Sequence, residues 1–445
     1  MVIERSRNKV TERSRSTSTI KKALSILTPY EKKRGILVLI IVIGMAFLET
    51  FGVVSVIPFL AVLGNPEILE SNHTLNVIFK KSEVIGVKTP DHFLIVLGIA
   101  VFIVIILTAT FRTLAQYAMI RFIQMRNYSI SARLLEIYLR QPYSFFLNRH
   151  SGDISKSVLS EVGQLVSNVL QPSYFLIANI LVMIFICILL LLVSPWLALF
   201  SITIFGGLYL IVYLILSRYI TNLGFIQVAA NKDKFIVTNE VIGGIKNIKV
   251  LGRERSYLKR FQNLSRITAS TKTTHQIINQ IPHYIIEVIV FGTIITVTLW
   301  LLISSGGLSQ GSFGQIIPIL GLYAFAAYRL KPILAIIFQS ISNLRYGRAV
   351  VENIYTDLHP ENNLLHLPNQ SPKPLKIKNQ IELNHLYFTY PNASYPALKN
   401  MDFKIPIGTS LGIVGKTGAG KTTLVDVILG ILTPTKGNIL SLIHI

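Results

Sequence analysis

Gly415-Lys416-Thr417-Gly418-Ala419-Gly420-Lys421-Thr422 carries the spacing G-x-x-x-x-G-K-S/T, and its reading decides the C-terminal part of the chain. The flanks place it. Ser410-Leu411-Gly412-Ile413-Val414 reads as a short buried strand, and Thr423-Leu424-Val425-Asp426-Val427-Ile428-Leu429 continues as an apolar helix. Between strand and helix, glycines let successive backbone N–H groups and the helix N-terminus converge on one point, which suits phosphate oxygens. The pattern predicts an ATP site built from Gly415, Lys416, Thr417, Gly418, Ala419, Gly420, Lys421, Thr422 and Thr423. In that site Lys421 reaches the β- and γ-phosphates and Thr422 ligates Mg²⁺.

Outward from the loop, composition changes character. The 445 residues are 51% hydrophobic and only 14% charged, with a formal net charge of +22 and a mean hydropathy of +0.54. This excludes a disordered chain and is unusual for a soluble one. The basic residues lie between apolar runs, as membrane topology requires, so no nucleic-acid partner is expected. The single cysteine, Cys187, sits in an apolar run, which excludes an intrachain disulfide or thiolate metal site. His150, His275 and His283 lack metal-ligand spacing.

About 20 apolar residues cross a bilayer, and six runs qualify: 35–64, 92–115, 173–193, 196–217, 284–304 and 313–338. Arg5, Arg7, Lys9, Arg13, Arg15, Lys21, Lys22, Lys32, Lys33 and Arg34 precede the first run, and Arg253, Arg255, Lys259 and Arg260 lie in the 218–283 segment. Residues 65–91 are near neutral and 305–312 uncharged. Positive residues stay inside, so both termini and the segments 116–172 and 218–283 are expected in the cytoplasm. That places the phosphate loop in the compartment that holds ATP. Helical spacing of apolar positions over 116–140 and 218–281 predicts spans continuing past the membrane, with breaks at Gln141-Pro142 and at Gly243-Gly244.

The expected organisation is a disordered basic tail over 1–18, a six-span membrane domain over 19–345, a linker over 346–376, and the start of an α/β nucleotide domain over 377–439. In that last part Gln380–Tyr387 and Leu398–Ile405 are expected strands. Residues 440–445, Leu440-Ser441-Leu442-Ile443-His444-Ile445, are what the codons CTG-TCT-CTT-ATA-CAC-ATC encode. That string resembles a transposase adapter, so the last native residue is expected near Ile439.

Six all-α spans with cytoplasmic extensions, followed by a phosphate-loop domain, resemble an ABC exporter half-transporter. Phe388-Thr389-Tyr390-Pro391 is similar to the family's A-loop, which makes Tyr390 the implied adenine platform. Pro434-Thr435-Lys436-Gly437 looks like the turn after the domain's first helix. Glu240 through Lys249 is similar to the second coupling helix. A closer resemblance, to flippases of lipid-linked oligosaccharides and exporters of polysaccharide precursors, rests on Glu49-Thr50-Phe51-Gly52, Ile57-Pro58-Phe59-Leu60, Asn65-Pro66 and Tyr328-Arg329-Leu330-Lys331-Pro332. The resemblance implies a homodimeric ATPase of the bacterial inner membrane that moves an amphipathic lipid-linked substrate.

The family's signature motif, Walker B carboxylates and switch histidine lie downstream of the phosphate loop, and only eight residues follow Gly437. The chain as written is therefore expected not to turn over ATP alone. Other cargo (drugs, peptides, lipid A) and a nonhydrolytic nucleotide-binding membrane protein are the competing readings.

Charges inside spans are functional candidates. Glu49 either orients substrate or pairs with a cation inside the bundle. Arg329 and Lys331 either snorkel to the interface or line a cavity for a pyrophosphate-linked headgroup. Pro332 is placed to kink the last span.

Overall fold

The computed structural model describes residues 19–64, 66, 69, 73–82, 89–147, 149, 151–193, 195–304, 313–359, 380–391 and 393–441. The tail over 1–18, residues 360–376 of the expected linker and residues 442–445 lie outside the described residues. By internal packing the described chain forms two units, 19–133 with 155–359 and 134–154 with 380–441.

The first unit is helical. It opens with α1 (Thr19–Ile26), α2 (Pro29–Val54), α3 (Val56–Gly64) and α4 (His73–Ser82), then α5 (Pro90–Leu139), which runs on into the second unit. The start of α2 is written in its sequence. Thr28 caps it, Pro29 occupies the first turn, and Glu31 closes a capping box, its Oε2 accepting from the Thr28 N–H at 2.8 Å. The same carboxylate accepts from Ser129 Oγ at 2.6 Å and pairs with Arg126 at 2.6 Å, so one residue caps α2 and ties it to α5.

The first expected span is not a single helix. It breaks at Ser55, whose N–H donates to Phe51 O and whose hydroxyl donates to Gly52 O. The cause is Pro58: it has no N–H for Val54 O and its ring crowds that carbonyl.

Next come α6 (Tyr143–Leu147), in the second unit, and α7 (Ser151–Lys156). A π-helical turn at Ser157–Glu161, α8 (Val162–Leu165), a second π turn at Val166–Leu170 and α9 (Gln171–Val193) follow end to end. The remaining helices of the first unit are α10 (Pro195–Gly243), α11 (Ile245–Leu251), α12 (Glu254–Ser304), α13 (Phe313–Tyr346) and α14 (Arg348–Leu358). Helices α5, α10 and α12 have 50, 49 and 51 residues. At 1.5 Å per residue that is about 75 Å, more than twice a hydrocarbon core of about 30 Å, so each extends well beyond the bilayer. Both expected breaks are present, α5 ending before Gln141-Pro142 and α10 ending at Gly243. Helix α13 continues through Pro332.

Among the described residues, the segments Pro29–Gly64, Pro90–Leu139 and Gly152–Leu192 are long and apolar enough to cross a membrane. The expected spans at 196–217, 284–304 and 313–338 each fall within one helix, α10, α12 and α13. These helices include residues whose side chains lie outside the description.

Apolar stripes of α2, α9 and α13 meet in a core of Ala46, Val182, Ile186, Leu190, Ile333 and Ile337. A second core joins Ile220 and Leu223 of α10, Ile278 of α12, and Phe338 and Tyr346 of α13. That crossing requires Gly224, because a Cβ there would lie 2.1 Å from the Tyr346 carbonyl oxygen. Of the segment expected as linker over 346–376, Arg348–Leu358 is helix α14, which buries Ala349, Val350, Val351, Ile354 and Leu358.

In the second unit β1 (Gln380–Phe388), β2 (Leu398–Pro406) and β3 (Lys436–Ser441) form an antiparallel sheet in the order β2-β1-β3. Helix α15 (Lys421–Ile428) covers it through Leu424 and Val427, packed with Leu383, Leu386, Phe388, Leu398 and Leu432. The strand expected over Ser410–Val414 does not form. That segment is irregular, with Leu411 52% and Val414 97% exposed. No described strand lies beside it, and an extended segment without a ladder partner gains no sheet hydrogen bonds.

Candidate nucleotide-binding site

The site is assembled from the end of β1, the loop over 410–420 and the first turn of α15. Gly418 and Gly420 adopt φ of +84° and +82°, which a side chain would oppose. Gly420 is needed twice over, since a Cβ there would lie 2.5 Å from Ala397 O. This contact presses the helix start against the chain leading into β2. The first intrahelical bond is Leu424 N to Gly420 O at 2.9 Å. The N–H groups of Lys421, Thr422 and Thr423 therefore head the helix without intrahelical acceptors, and the helix dipole adds positive potential there. This arrangement fits a phosphate chain.

Lys421 Nζ donates to Gly415 O at 2.8 Å and Lys416 O at 2.9 Å, so its ammonium is folded over the loop it belongs to. A phosphate oxygen offers it a stronger, charge-assisted partner than either carbonyl. Thr422 is exposed beside it, open to serve as an oxygen ligand for Mg²⁺.

Tyr390 is the best-fixed side chain of the site. Its ring stands edge-on to Phe388, with centroids 5.0 Å apart and an interplanar angle of 88°. Its hydroxyl lies 2.9 Å from Thr423 Oγ1. Ala393 N donates to Tyr390 O, and Ala397 N donates to Phe388 O at 2.8 Å. The fold thus brings Tyr390 to the phosphate loop 33 positions away. Composition carried no sign of the link to Thr423, nor of Phe388 and Ala397 as supports. The alternation of Leu386 and Phe388 as inward residues of β1 was the one available hint.

The candidate substrate charges are each engaged with another side chain or undescribed. Arg112 Nη1 sits 3.1 Å from Glu49 Oε1, with Glu49 buried and Arg112 41% exposed. That oxygen has no aligned hydrogen-bond donor, so the attraction is Coulombic. Lys331 Nζ donates to Glu287 Oε2 at 2.7 Å. Arg329 lies in α13, and its side chain is outside the description. Among the described residues no cluster of three or more His, Cys, Asp or Glu is placed to hold a metal.

Residues 35–327 match the family model of the ABC transporter transmembrane region, and residues 398–443 match the family model named ABC transporter. This chain belongs to the ABC transporters. It is 24% identical over 315 residues to the ATP-dependent lipid A-core flippase of Psychrobacter arcticus, covering 70% of this chain and 51% of the flippase. It is 35% identical over 115 residues to the nisin transport ATP-binding protein NisT of Lactococcus lactis, covering 23% of this chain and 19% of NisT. The chain thus spans about half the length of the flippase. In fold it is similar to a bacterial Atm1-family ABC exporter solved with ATP bound, with a TM-score of 0.64 and 14% identity over 92% of this chain and 67% of that one. The transporter is a multi-pass membrane protein with an exporter-type transmembrane domain and a partial ATP-binding domain.

Proposed function

We propose that this ABC transporter chain is the membrane domain and the start of the ATPase domain of a homodimeric half-transporter. In this reading it uses ATP to flip or export a lipid-linked oligosaccharide, or a related amphipathic lipid, across a bacterial inner membrane. The observation that carries the reading is the pairing of the phosphate loop with Tyr390 behind a membrane domain of the exporter type. Lys421 and the loop N–H groups hold phosphate charge, Thr422 ligates Mg²⁺, and Tyr390 stacks on the base. When bound, ATP supplies the phosphoanhydride whose hydrolysis resets the transport cycle. Both termini lie in the cytoplasm, as the distribution of cations implies.

Helix α5 ends before Gln141-Pro142 and α10 ends at Gly243, and residues 134–154, which include the end of α5, pack as part of the unit that holds the phosphate loop. For cargo, Glu49, Arg329 and Lys331 remain the proposed contacts. An anionic headgroup at Lys331 would displace Glu287, trading one charge-assisted bond for another. Lipid A, drugs or peptides form the second reading, favoured by the similarity to the lipid A-core flippase and the nisin transport protein.

Ligand-induced stabilisation of the full chain in nanodiscs separates these readings, because a ligand that binds the native state raises its unfolding temperature. The proposal expects a rise with a polyprenyl-pyrophosphate oligosaccharide that is lost in Lys331→Gln. A rise with lipid A alone would transfer the chain to the second reading.

A further inference from the structure

We propose that the Tyr390 hydroxyl is a positioning group for the phosphate end of the nucleotide site, acting through Thr423. The inference rests on the nucleotide site proposed above and adds to it a link between base platform and phosphate cradle. Thr423 is 5% exposed and stands in the first turn of α15, two residues after Lys421. Its hydroxyl has one proton and two lone pairs, whereas the phenol of Tyr390 is the more acidic partner and the better donor. With Tyr390 donating across the 2.9 Å contact, the Thr423 proton is left to be given to a phosphate oxygen. Accepting one hydrogen bond makes the threonine hydroxyl a stronger donor of the next.

The geometry around the pair is fixed on both sides. Phe388 holds the ring edge-on, and Gly420 at the head of α15 lies so near Ala397 O, just before β2, that a Cβ there would clash. The phenol oxygen is therefore directed at Thr423. A phenylalanine would keep the stacking face but lose this function, so the ring and the hydroxyl have separable roles.

The test uses the full chain in detergent, with Mg²⁺, and measures affinity for ATP and for inorganic tripolyphosphate, which has no base to stack. Four proteins form a cycle: wild type, Tyr390→Phe, Thr423→Val and the double variant. Thr423→Ser is the conservative control that restores a hydroxyl. Tyr390→Phe is expected to weaken tripolyphosphate binding about 3- to 10-fold, the range of one hydrogen bond. In the Thr423→Val background its effect falls below about 2-fold, and with Thr423→Ser it returns. Unchanged tripolyphosphate affinity in Tyr390→Phe overturns the inference while leaving the adenine platform intact. Equal losses in both backgrounds overturn it as well. A wild-type chain that binds neither ATP nor tripolyphosphate removes the nucleotide site itself, and the inference with it.

Discussion

His275 gives the packing of α12 against α13 a stability that depends on pH. It lies on α12, outside the expected span, is 7% exposed, and stacks on Tyr346 of α13 with ring centroids 3.9 Å apart and planes within 11°. Ser342 Oγ lies 3.4 Å from its Nε2. Burial disfavours the imidazolium and outweighs a contribution from Ser342 in the other direction, pushing the pKa down from 6.5 to about 4. The unfolded chain therefore takes up a proton as pH falls through 6.5, while the folded chain refuses it until about 4. Stability due to His275 is fully present above pH 6.5 and declines across that window. At 1.36 kcal/mol per pH unit the loss is about 3 kcal/mol.

The perturbation is His275→Phe, which keeps a flat ring against Tyr346 and removes the titration. Unfolding free energy of both proteins in the same micelle is followed from pH 7.5 to 4. Carboxylates titrate equally in both, so the difference between the curves isolates the histidine. Wild type is expected to lose about 3 kcal/mol more than the variant. Parallel curves would refute the reasoning, because they would mean that the imidazolium is solvated in the folded state.

Three further outcomes follow from buried charge and tight backbone. Lys156 and Glu161 pair at 2.8 Å with side chains 3% and 2% exposed, and Asn353 donates to Glu161 at 3.0 Å. Lys156→Met should cost about 3–5 kcal/mol in denaturant unfolding, and adding Glu161→Leu should recover most of it. Glu49→Gln should lower the yield of folded chain by stranding Arg112, and the exchange Glu49→Arg with Arg112→Glu should restore it. Full yield in the single variant, with cargo-induced stabilisation lost, would instead assign Glu49 to substrate. Gly420→Ala places a methyl group 2.5 Å from Ala397 O at a φ of +82°. It should weaken ATP binding by about 5- to 150-fold, measured by equilibrium titration, through strain of roughly 1–3 kcal/mol.

Much of this architecture is legible because it is local. Spacing and the helical flank mark the phosphate loop, and turn residues mark the breaks at Gln141-Pro142 and Gly243-Gly244. The strands expected over Gln380–Tyr387 and Leu398–Ile405 each form and run one residue further, to Phe388 and Pro406. Pro58 contained the signal for the break at Ser55, but its effect falls three to four residues upstream, at Val54 and Ser55, and is masked by a long apolar run. Ser410–Val414 read as a strand on propensity, yet sheet formation needs a neighbour, which composition cannot supply. The polar pairs were hidden for a different reason. Glu161 meets Asn353 across 192 positions and Lys331 meets Glu287 across 44, and such contacts exist only once the helices have packed. The same holds for Tyr390 and Thr423, where each residue was recognisable and their hydrogen bond was not.

The central claim is that the loop at 415–423 and the ring of Tyr390 form one ATP site on this chain. The direct measurement is photolabelling of the purified full chain with 8-azido-ATP and Mg²⁺, with the attached residue mapped by mass spectrometry. The account predicts a label at or beside Tyr390, displaced by excess ATP and lost in Lys421→Ala. Displaceable label elsewhere, or label at Tyr390 that persists in Lys421→Ala, would contradict it.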